Sequence, residues 1–139
     1  MAEQIFTHTH RVTYSECTIG NHVYYSRYLD LLEKARGEFF RTLGITFQQL
    51  HDAGTIFPVI EVNLRYKAAA RYDDVLRIEI TMSEVARVRL IFAHKIFNQR
   101  DELLVTASTS HACTGTDDKL TRVPEELAMK LAPYVSAKA

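Results

Sequence analysis

One change in the spacing of apolar residues dominates this 139-residue sequence. Over residues 24–43 the apolar side chains recur every three or four positions, as on one face of an α-helix, and Gly44 follows as a stop. After Pro58 the period falls to two, which is the spacing of a half-buried β-strand. A chain with one long apolar-striped helix and several strands must bury that helix against its own sheet.

Shorter patterns complete the outline of one domain, since 139 residues leave no room for a second full one. The strands after Pro58 are predicted over residues 60–67, 76–83, 88–97 and 103–113, and an earlier strand over residues 5–14. Short helices are predicted over residues 47–53 and 125–131, and residues 120–122 are predicted to end the sheet. The short connections between strands favour antiparallel neighbours. We therefore predict an α+β fold in which an antiparallel sheet of about five strands wraps around the long helix.

Charge, cysteines and hydropathy argue against several classes of protein. Lys plus Arg is 17 and Asp plus Glu is 17, so the basic excess of a nucleic-acid or anionic-membrane surface is missing. No run of about 18 apolar residues occurs, and the first residues form no signal core. Two cysteines are too few for a disulfide scaffold and indicate reduced thiols. The expected location is the cytoplasm, with neither nucleic acid nor membrane as a partner.

The loop at residues 15–22 carries the chemistry that stands out most. It leads from the first strand into the long helix, whose first N–H groups lack intrahelical acceptors and carry the positive end of the helix dipole. A carbonyl placed there would be polarised, and a developing oxyanion would be stabilised. Glu16, Thr18, Asn21 and His22 supply an acid, a hydroxyl, an amide and an imidazole. The same side chains would equally serve as caps of a turn and a helix.

A family resemblance rests on this loop and the helix after it. Residues 14–28, YSECTIGNHVYYSRY, and residues 32–36, LEKAR, resemble the helix entry of the hotdog-fold acyl-CoA thioesterases, specifically the 4-hydroxybenzoyl-CoA thioesterase and YbgC-like branch. Residues 65–79 resemble a second segment of that family. The resemblance implies a hotdog fold and hydrolysis of a CoA thioester to a carboxylic acid and free CoA.

The resemblance also assigns catalytic positions. The family's catalytic carboxylate lies at the second acidic position of a D-x-D pair. In this chain Thr18 occupies that position, and Glu16 occupies the first acidic position. Thr18 would hold the attacking water while a neighbouring group takes its proton, or Glu16 or His22 would itself be the base. The backbone N–H of Tyr25 aligns with the family's oxyanion donor.

Binding residues follow from the same resemblance. Glu33 would line the acyl pocket, although its i,i+3 spacing to Arg36 also fits a purely structural ion pair. Arg87 and Arg89, at the turn into a strand, would bind the phosphates of coenzyme A, or they are ordinary surface arginines. Glu61 is interpreted as a solvated strand residue.

Metals and other cofactors have no role in this hypothesis, in which coenzyme A is part of the substrate. His8 and His10 share a strand face, but no third ligand at suitable spacing completes a metal site. An open sheet edge predicts a homodimer, or a dimer of dimers, with the pocket between subunits.

Two other functions stay open. One is an acyl-CoA binding protein without turnover. The other is a hotdog-fold hydroxyacyl dehydratase or hydratase, in which His22 would act with Glu61 or Glu33.

Overall fold

One antiparallel sheet forms the body of the structure, a computed structural model that describes residues 3–136. Its strands in chain order are β1 (Phe6–Arg11), β2 (Val59–Tyr66), β3 (Val75–Val85), β4 (Arg89–Phe97) and β5 (Leu103–Ala112). They lie side by side in the order β1-β3-β4-β5-β2, and every pair is antiparallel. The helices are α1 (Arg27–Leu43), α2 (Phe47–Asp52) and α3 (Glu125–Leu131). The predicted hotdog architecture, a five-stranded antiparallel sheet with one long helix, is confirmed.

Helix α1 forms because its apolar side chains fall on one stripe. The buried members of the stripe include Tyr28, Leu31, Leu32, Ala35, Phe39 and Phe40. Across from them, alternate residues of β3 from Leu76 to Met82 are fully buried and form the core face of the sheet. The helix ends at Gly44, whose φ of 85° is a left-handed conformation that glycine adopts without strain.

Two predicted element boundaries near the candidate loop are wrong. Helix α1 begins at Arg27 rather than at residue 24, because the N–H of Arg27 donates to the carbonyl of Tyr24 at 2.8 Å and closes a separate turn. Strand β1 ends at Arg11 rather than at residue 14, because residues Tyr14–Glu16 form a short 3-10 helix. The connection between β1 and α1 is therefore longer and more structured than the sequence indicated.

The strand pattern needs three further corrections. A β-bulge lies between Val59 and Glu61. Because of the bulge, Val59 and Val62 both pair with core-facing residues of β5, and Ile60 does not share their face. Strand β3 continues past residue 83 to Val85. The predicted sheet segment at residues 120–122 forms only an isolated bridge, in which Leu120 pairs with Thr114.

Strand β2 is an edge strand, and no other strand within residues 3–136 pairs with its outer side. Val59 and Val62 are 49% and 43% exposed, although both follow the core side of the sheet. Tyr66, at the other end of the strand, is also half exposed. Exposed apolar side chains on an unpaired edge are typical of a surface that a further strand covers.

Membrane-spanning helices are missing from residues 3–136, where none is long and apolar enough to cross a bilayer. The cytoplasmic location stays a prediction.

Candidate active site

The loop between β1 and α1 folds into a tight hairpin-like turn. Cys17 and Val23 pair across it as an antiparallel bridge. Inside the bridge the N–H of Thr18 donates to the carbonyl of His22 at 2.7 Å, and Asn21 adopts a left-handed φ of 61°. Residues that face each other in such a pair have Cβ atoms about 5 Å apart. The turn therefore brings the backbones of Thr18 and His22 together at its base.

Backbone contacts fix this turn against the segment before β3. The N–H of Val23 donates to the carbonyl of Ala70 at 2.9 Å. The side-chain oxygen of Asn21 accepts a hydrogen bond from the N–H of Tyr72 at 3.0 Å. Asn21, a predicted polar group of the site, is thereby used to position the loop.

Thr18 and His22 present their side chains to solvent. Both residues are exposed, and neither side chain forms a hydrogen bond with another part of residues 3–136. Cys17, directly before Thr18, is partly buried, and burial raises the pKa of its thiol. A protonated thiol is a poor nucleophile, so Cys17 does not suit that role.

Glu16 is held away from the solvent-exposed part of the loop by two contacts. Its carboxylate contacts His10 Nε2 at 3.0 Å and accepts the backbone N–H of Thr13 at 2.8 Å. Burial raises the pKa of Glu16, but the hydrogen bonds from His10 and Thr13 outweigh it and lower the net value. A carboxylate stabilised in this way is a weaker base than a free one. The His10 contact was not predicted, because the two residues meet only when β1 and the 3-10 helix have formed.

The start of α1 offers an unused backbone donor. Within residues 3–136 the N–H of Tyr25 has no hydrogen-bond acceptor, and the Tyr25 side chain is 62% exposed. The carbonyl of Tyr25 accepts a hydrogen bond from the hydroxyl of Tyr66 at 2.9 Å, which ties this turn to β2. A fixed, unpaired N–H at a helix start can donate to an oxyanion.

A cavity of about 330 Å³ lies beside the middle of α1. Its lining residues are Glu33, Arg36, Phe40, Phe47, Phe57, Val59, Phe92 and His111. We call it the Arg36 cavity, because Arg36 is only 8% exposed although it carries a charge. Glu33 is exposed and therefore lies at the mouth. No ion pair within 4 Å joins Glu33 to Arg36 in residues 3–136, so the predicted structural pair does not form.

His111, which the sequence analysis missed, lies in the cavity wall as a neutral imidazole. Its Nδ1 lies 3.1 Å from the carbonyl of Phe57, which can only accept, so Nδ1 carries the proton. Its Nε2 lies 3.0 Å from the hydroxyl of Thr109 and accepts from it. Burial lowers the pKa of His111 to about 4. Both ring nitrogens are engaged, so His111 shapes the wall and is not available for proton transfer.

The turn and the cavity lie at different levels of α1. Arg36 is nine residues beyond the first residue of the helix, which is about 14 Å along the axis.

Comparison with known proteins places the chain in a family. The model of the thioesterase-like superfamily matches residues 12–131, which include the turn, α1 and the whole Arg36 cavity. The chain belongs to the thioesterase-like superfamily.

Proteins similar to this chain include thioesterases, and the similarity extends over most of their length. The acyl-CoA thioesterase YbgC of Haemophilus influenzae is 34% identical over 78% of this chain and 79% of its own. A crystal structure of a hypothetical protein from Aquifex aeolicus has a TM-score of 0.86 at 28% identity, covering 91% of this chain and 98% of that one. A DHNA-CoA thioesterase from Staphylococcus aureus has a TM-score of 0.80 at 26% identity, covering 85% and 80%.

The two predicted phosphate-binding arginines of this thioesterase-like chain differ in their contacts. Arg89 donates to the carboxylate of Glu84 at 2.7 and 3.2 Å, so its charge is already paired. Arg87 is exposed and lines a shallow cavity of about 300 Å³ together with Arg122, which the sequence analysis did not select. Neither Arg87 nor Arg122 forms an ion pair within residues 3–136.

The remaining predicted residues lie outside both regions. Glu61 is exposed on β2 and pairs in register with Ser110. His8 is partly buried on β1. Residues 3–136 contain no group of three or more His, Cys, Asp or Glu side chains placed to hold a metal ion.

Proposed function

We propose that this protein hydrolyses acyl-CoA thioesters to a carboxylic acid and free coenzyme A. The observation that carries the proposal is the unpaired N–H of Tyr25 in the turn that leads into α1, three residues after the exposed Thr18–His22 turn. Membership of the thioesterase-like superfamily and the similarity to YbgC, whose name gives acyl-CoA as its substrate, support the same reaction.

The reaction needs an oxyanion donor, a positioned water and a base. The thioester carbonyl accepts the N–H of Tyr25, and the positive end of the α1 dipole stabilises the negative charge that develops on the oxygen. Water attacks the carbonyl carbon while Thr18 holds it by a hydrogen bond. His22 takes the water proton, the C–S bond breaks, and the proton passes to the leaving thiolate.

His22 is our choice of base over Glu16. The imidazole of His22 is exposed and unbonded within the described residues, whereas the Glu16 carboxylate already contacts His10 and Thr13. Imidazole is also the side chain that most often serves as a general base in enzymes. Thr18 then replaces a catalytic carboxylate by orienting water rather than by attacking.

We infer that two copies of the chain associate through their β2 edges. The cavity wall includes Val59 on this open strand, and Val62 beside it is uncovered. The start of α1 lies about 14 Å along the helix axis from Arg36, and we propose that a second copy brings its own helix start to the cavity. The predicted dimer of dimers remains a prediction.

Arg87 and Arg122 are our proposed contacts for the phosphates of coenzyme A. They line one shallow cavity together with Glu125, and neither forms an ion pair with a carboxylate within residues 3–136. Two adjacent guanidinium groups suit phosphate oxygens. Arg89 is replaced in this role by Arg122, because Glu84 neutralises Arg89.

A binding protein without turnover is the second candidate. The presence of Thr18 at the position of the family's catalytic carboxylate favours it. Release of free thiol from acyl-CoA separates the two functions, since a binding protein retains the ester intact. A 2-enoyl-CoA in the same assay reports hydration, the third function that the sequence left open.

Substitutions at Tyr25 test the proposal sharply. Tyr25→Ala keeps the backbone N–H and is expected to retain most of the thiol release, whereas Tyr25→Pro removes the donor. Proline is tolerated near helix starts, so the fold should survive. Loss of one oxyanion donor costs about 100-fold or more in kcat. Equal rates for the alanine and proline variants, with both folded, contradict this assignment of the donor.

A further inference from the structure

The Arg36 cavity holds a buried cation whose hydrogen-bonding capacity is not used. Arg36 is only 8% exposed, and its Nη1 has no hydrogen-bond acceptor within residues 3–136. Its guanidinium carbon lies 5.9 Å from the centre of the Phe92 ring. Burial lowers the pKa of Arg36, yet guanidinium stays charged in proteins. A desolvated positive charge therefore lies next to the space that a ligand would fill.

The other polar groups nearby leave that charge uncompensated. His111 has both ring nitrogens engaged, and His94, buried on β4, is neutral because burial and the charge of Arg36 lower its pKa to about 3. Glu33 raises the pKa of Arg36 through space, but it is solvent-exposed and forms no ion pair with it. The positive charge is thus the main electrostatic feature of the inner cavity.

The rest of the lining is apolar. Phe40, Phe47, Phe57, Val59 and Phe92 supply it. An apolar wall around one unpaired donor selects a ligand with an apolar body and one oxygen that accepts hydrogen bonds.

We propose that Arg36 determines the acyl specificity of this protein by binding an oxygen at the end of the acyl group far from the thioester. The inference rests on the proposed hydrolysis of acyl-CoA. The oxygen belongs either to a second carboxylate or to a neutral hydroxyl, and an apolar chain joins it to the thioester.

The energetic reason is the difference between a paired and an unpaired buried charge. An acyl oxygen that reaches Nη1 forms a charge-assisted hydrogen bond. A methyl group at the same place would displace water and leave the guanidinium without a partner. Sites built around a buried donor reject ligands that lack the acceptor more strongly than apolar pockets reject extra methylenes.

The test compares acyl-CoA esters that differ only at the far end. Hexanoyl-CoA is compared with 6-hydroxyhexanoyl-CoA and adipoyl-CoA, and decanoyl-CoA with its hydroxyl and carboxylate counterparts. Thiol release gives kcat/KM for the native protein, for Arg36→Met, and for the control Arg41→Met on the exposed side of the same helix. We expect the native protein and the control to prefer an oxygenated ester by about 10- to 100-fold, and Arg36→Met to lose that preference.

The design separates failure of this inference from failure of the proposed function. If the native protein hydrolyses plain and oxygenated esters equally, or if Arg36→Met keeps the preference, Arg36 is not the determinant, but hydrolysis stands. If no ester releases thiol, the proposed hydrolysis is wrong. The inference is then tested by the Kd values of the same esters: the native protein should bind the oxygenated ester about 10- to 100-fold more tightly than the plain one, and Arg36→Met should lose that difference. If Arg36→Met does not fold, Arg36→Lys takes its place: it keeps the charge, and we expect it to keep the preference for the carboxylate ester while weakening that for the hydroxyl ester. If Arg36→Lys hydrolyses the carboxylate ester and the plain ester with equal kcat/KM, the inference is contradicted.

Discussion

The turn at the start of α1 and the Arg36 cavity are built in opposite ways. The turn is made of consecutive, exposed residues held by backbone hydrogen bonds, such as that from Thr18 to His22. The cavity is lined by side chains from α1, α2, β2, β4, β5 and the segment before β2, and four of them are buried: Arg36, Phe40, Phe92 and His111. In our account the chemical step therefore depends on an exposed turn, and the choice of acyl group depends on a partly buried cavity. Exposed side chains of the turn can change at little cost to stability, whereas the buried side chains of the cavity cannot.

The largest expected difference in stability is between Phe92 and Ile19. Phe92 is 2% exposed and contacts Phe40 and His111, while Ile19 at the tip of the turn is fully exposed. Phe92→Ala should lower the free energy of unfolding by about 3–5 kcal/mol. Ile19→Ala should change it by less than about 0.5 kcal/mol. Urea denaturation measures the unfolding free energy of both variants. Similar losses for the two would contradict the difference between the cavity and the turn.

Acid should destabilise the region around the cavity before it affects the turn. The pKa of His94 is lowered to about 3 and that of His111 to about 4, below the ordinary value of 6.5. The unfolded chain therefore binds more protons than the folded one, so stability is present above pH 6.5 and falls toward pH 4. At about 1.4 kcal/mol per pKa unit, His94 alone accounts for a loss on the order of 3 kcal/mol.

His94→Leu isolates this contribution from that of Glu16, whose lowered pKa acts in the same direction. The variant should flatten the acid limb of a plot of unfolding free energy against pH. The only polar contact of the His94 imidazole is a weak one with the backbone of Ala107, and no side chain within residues 3–136 forms a hydrogen bond with it, so its replacement by leucine leaves no side-chain partner unpaired. An acid limb as steep as that of the native protein would show that His94 is not its source.

A smaller loss of stability is expected when Glu16 is replaced, and the same variant tests whether Glu16 or His22 is the base. Glu16→Ala removes the contacts to His10 and Thr13 and should cost about 1–2 kcal/mol of unfolding free energy. Thiol release should stay within roughly threefold of the native rate, because loss of a true general base costs about 100-fold or more. A hundredfold loss in Glu16→Ala, with His22→Ala near native, would reverse our choice. Glu84→Ala, which removes an exposed ion pair with Arg89, is the matched control.

The sequence predicted the elements whose signal is local. The apolar stripe of α1, its stop at Gly44 and the alternation of the strands each depend on neighbouring residues, and the structure confirms them. The bulge at Val59 and the late start of α1 at Arg27 were missed, because hydrogen bonds between neighbouring strands and within a turn set them, rather than the apolar period.

The candidate site divides in the same way. The Thr18–His22 turn could be selected from one continuous stretch of residues. The burial of Arg36 and the role of His111 could not, because they depend on β4 and β5 packing against α1. Arg122 lies beside Arg87 only after the chain beyond β5 returns to it, where the N–H of Val123 donates to the carbonyl of Arg87.

The most direct measurement of the central claim is a crystal structure with an acyl-CoA analogue in which a methylene replaces the thioester sulfur. Such a ligand keeps the carbonyl but cannot be hydrolysed. Our account predicts that its carbonyl oxygen lies about 3 Å from the backbone nitrogen of Tyr25 and that its acyl chain enters the Arg36 cavity of the same or a second copy. An analogue bound with its carbonyl away from Tyr25, or with its acyl chain outside that cavity, would contradict the account.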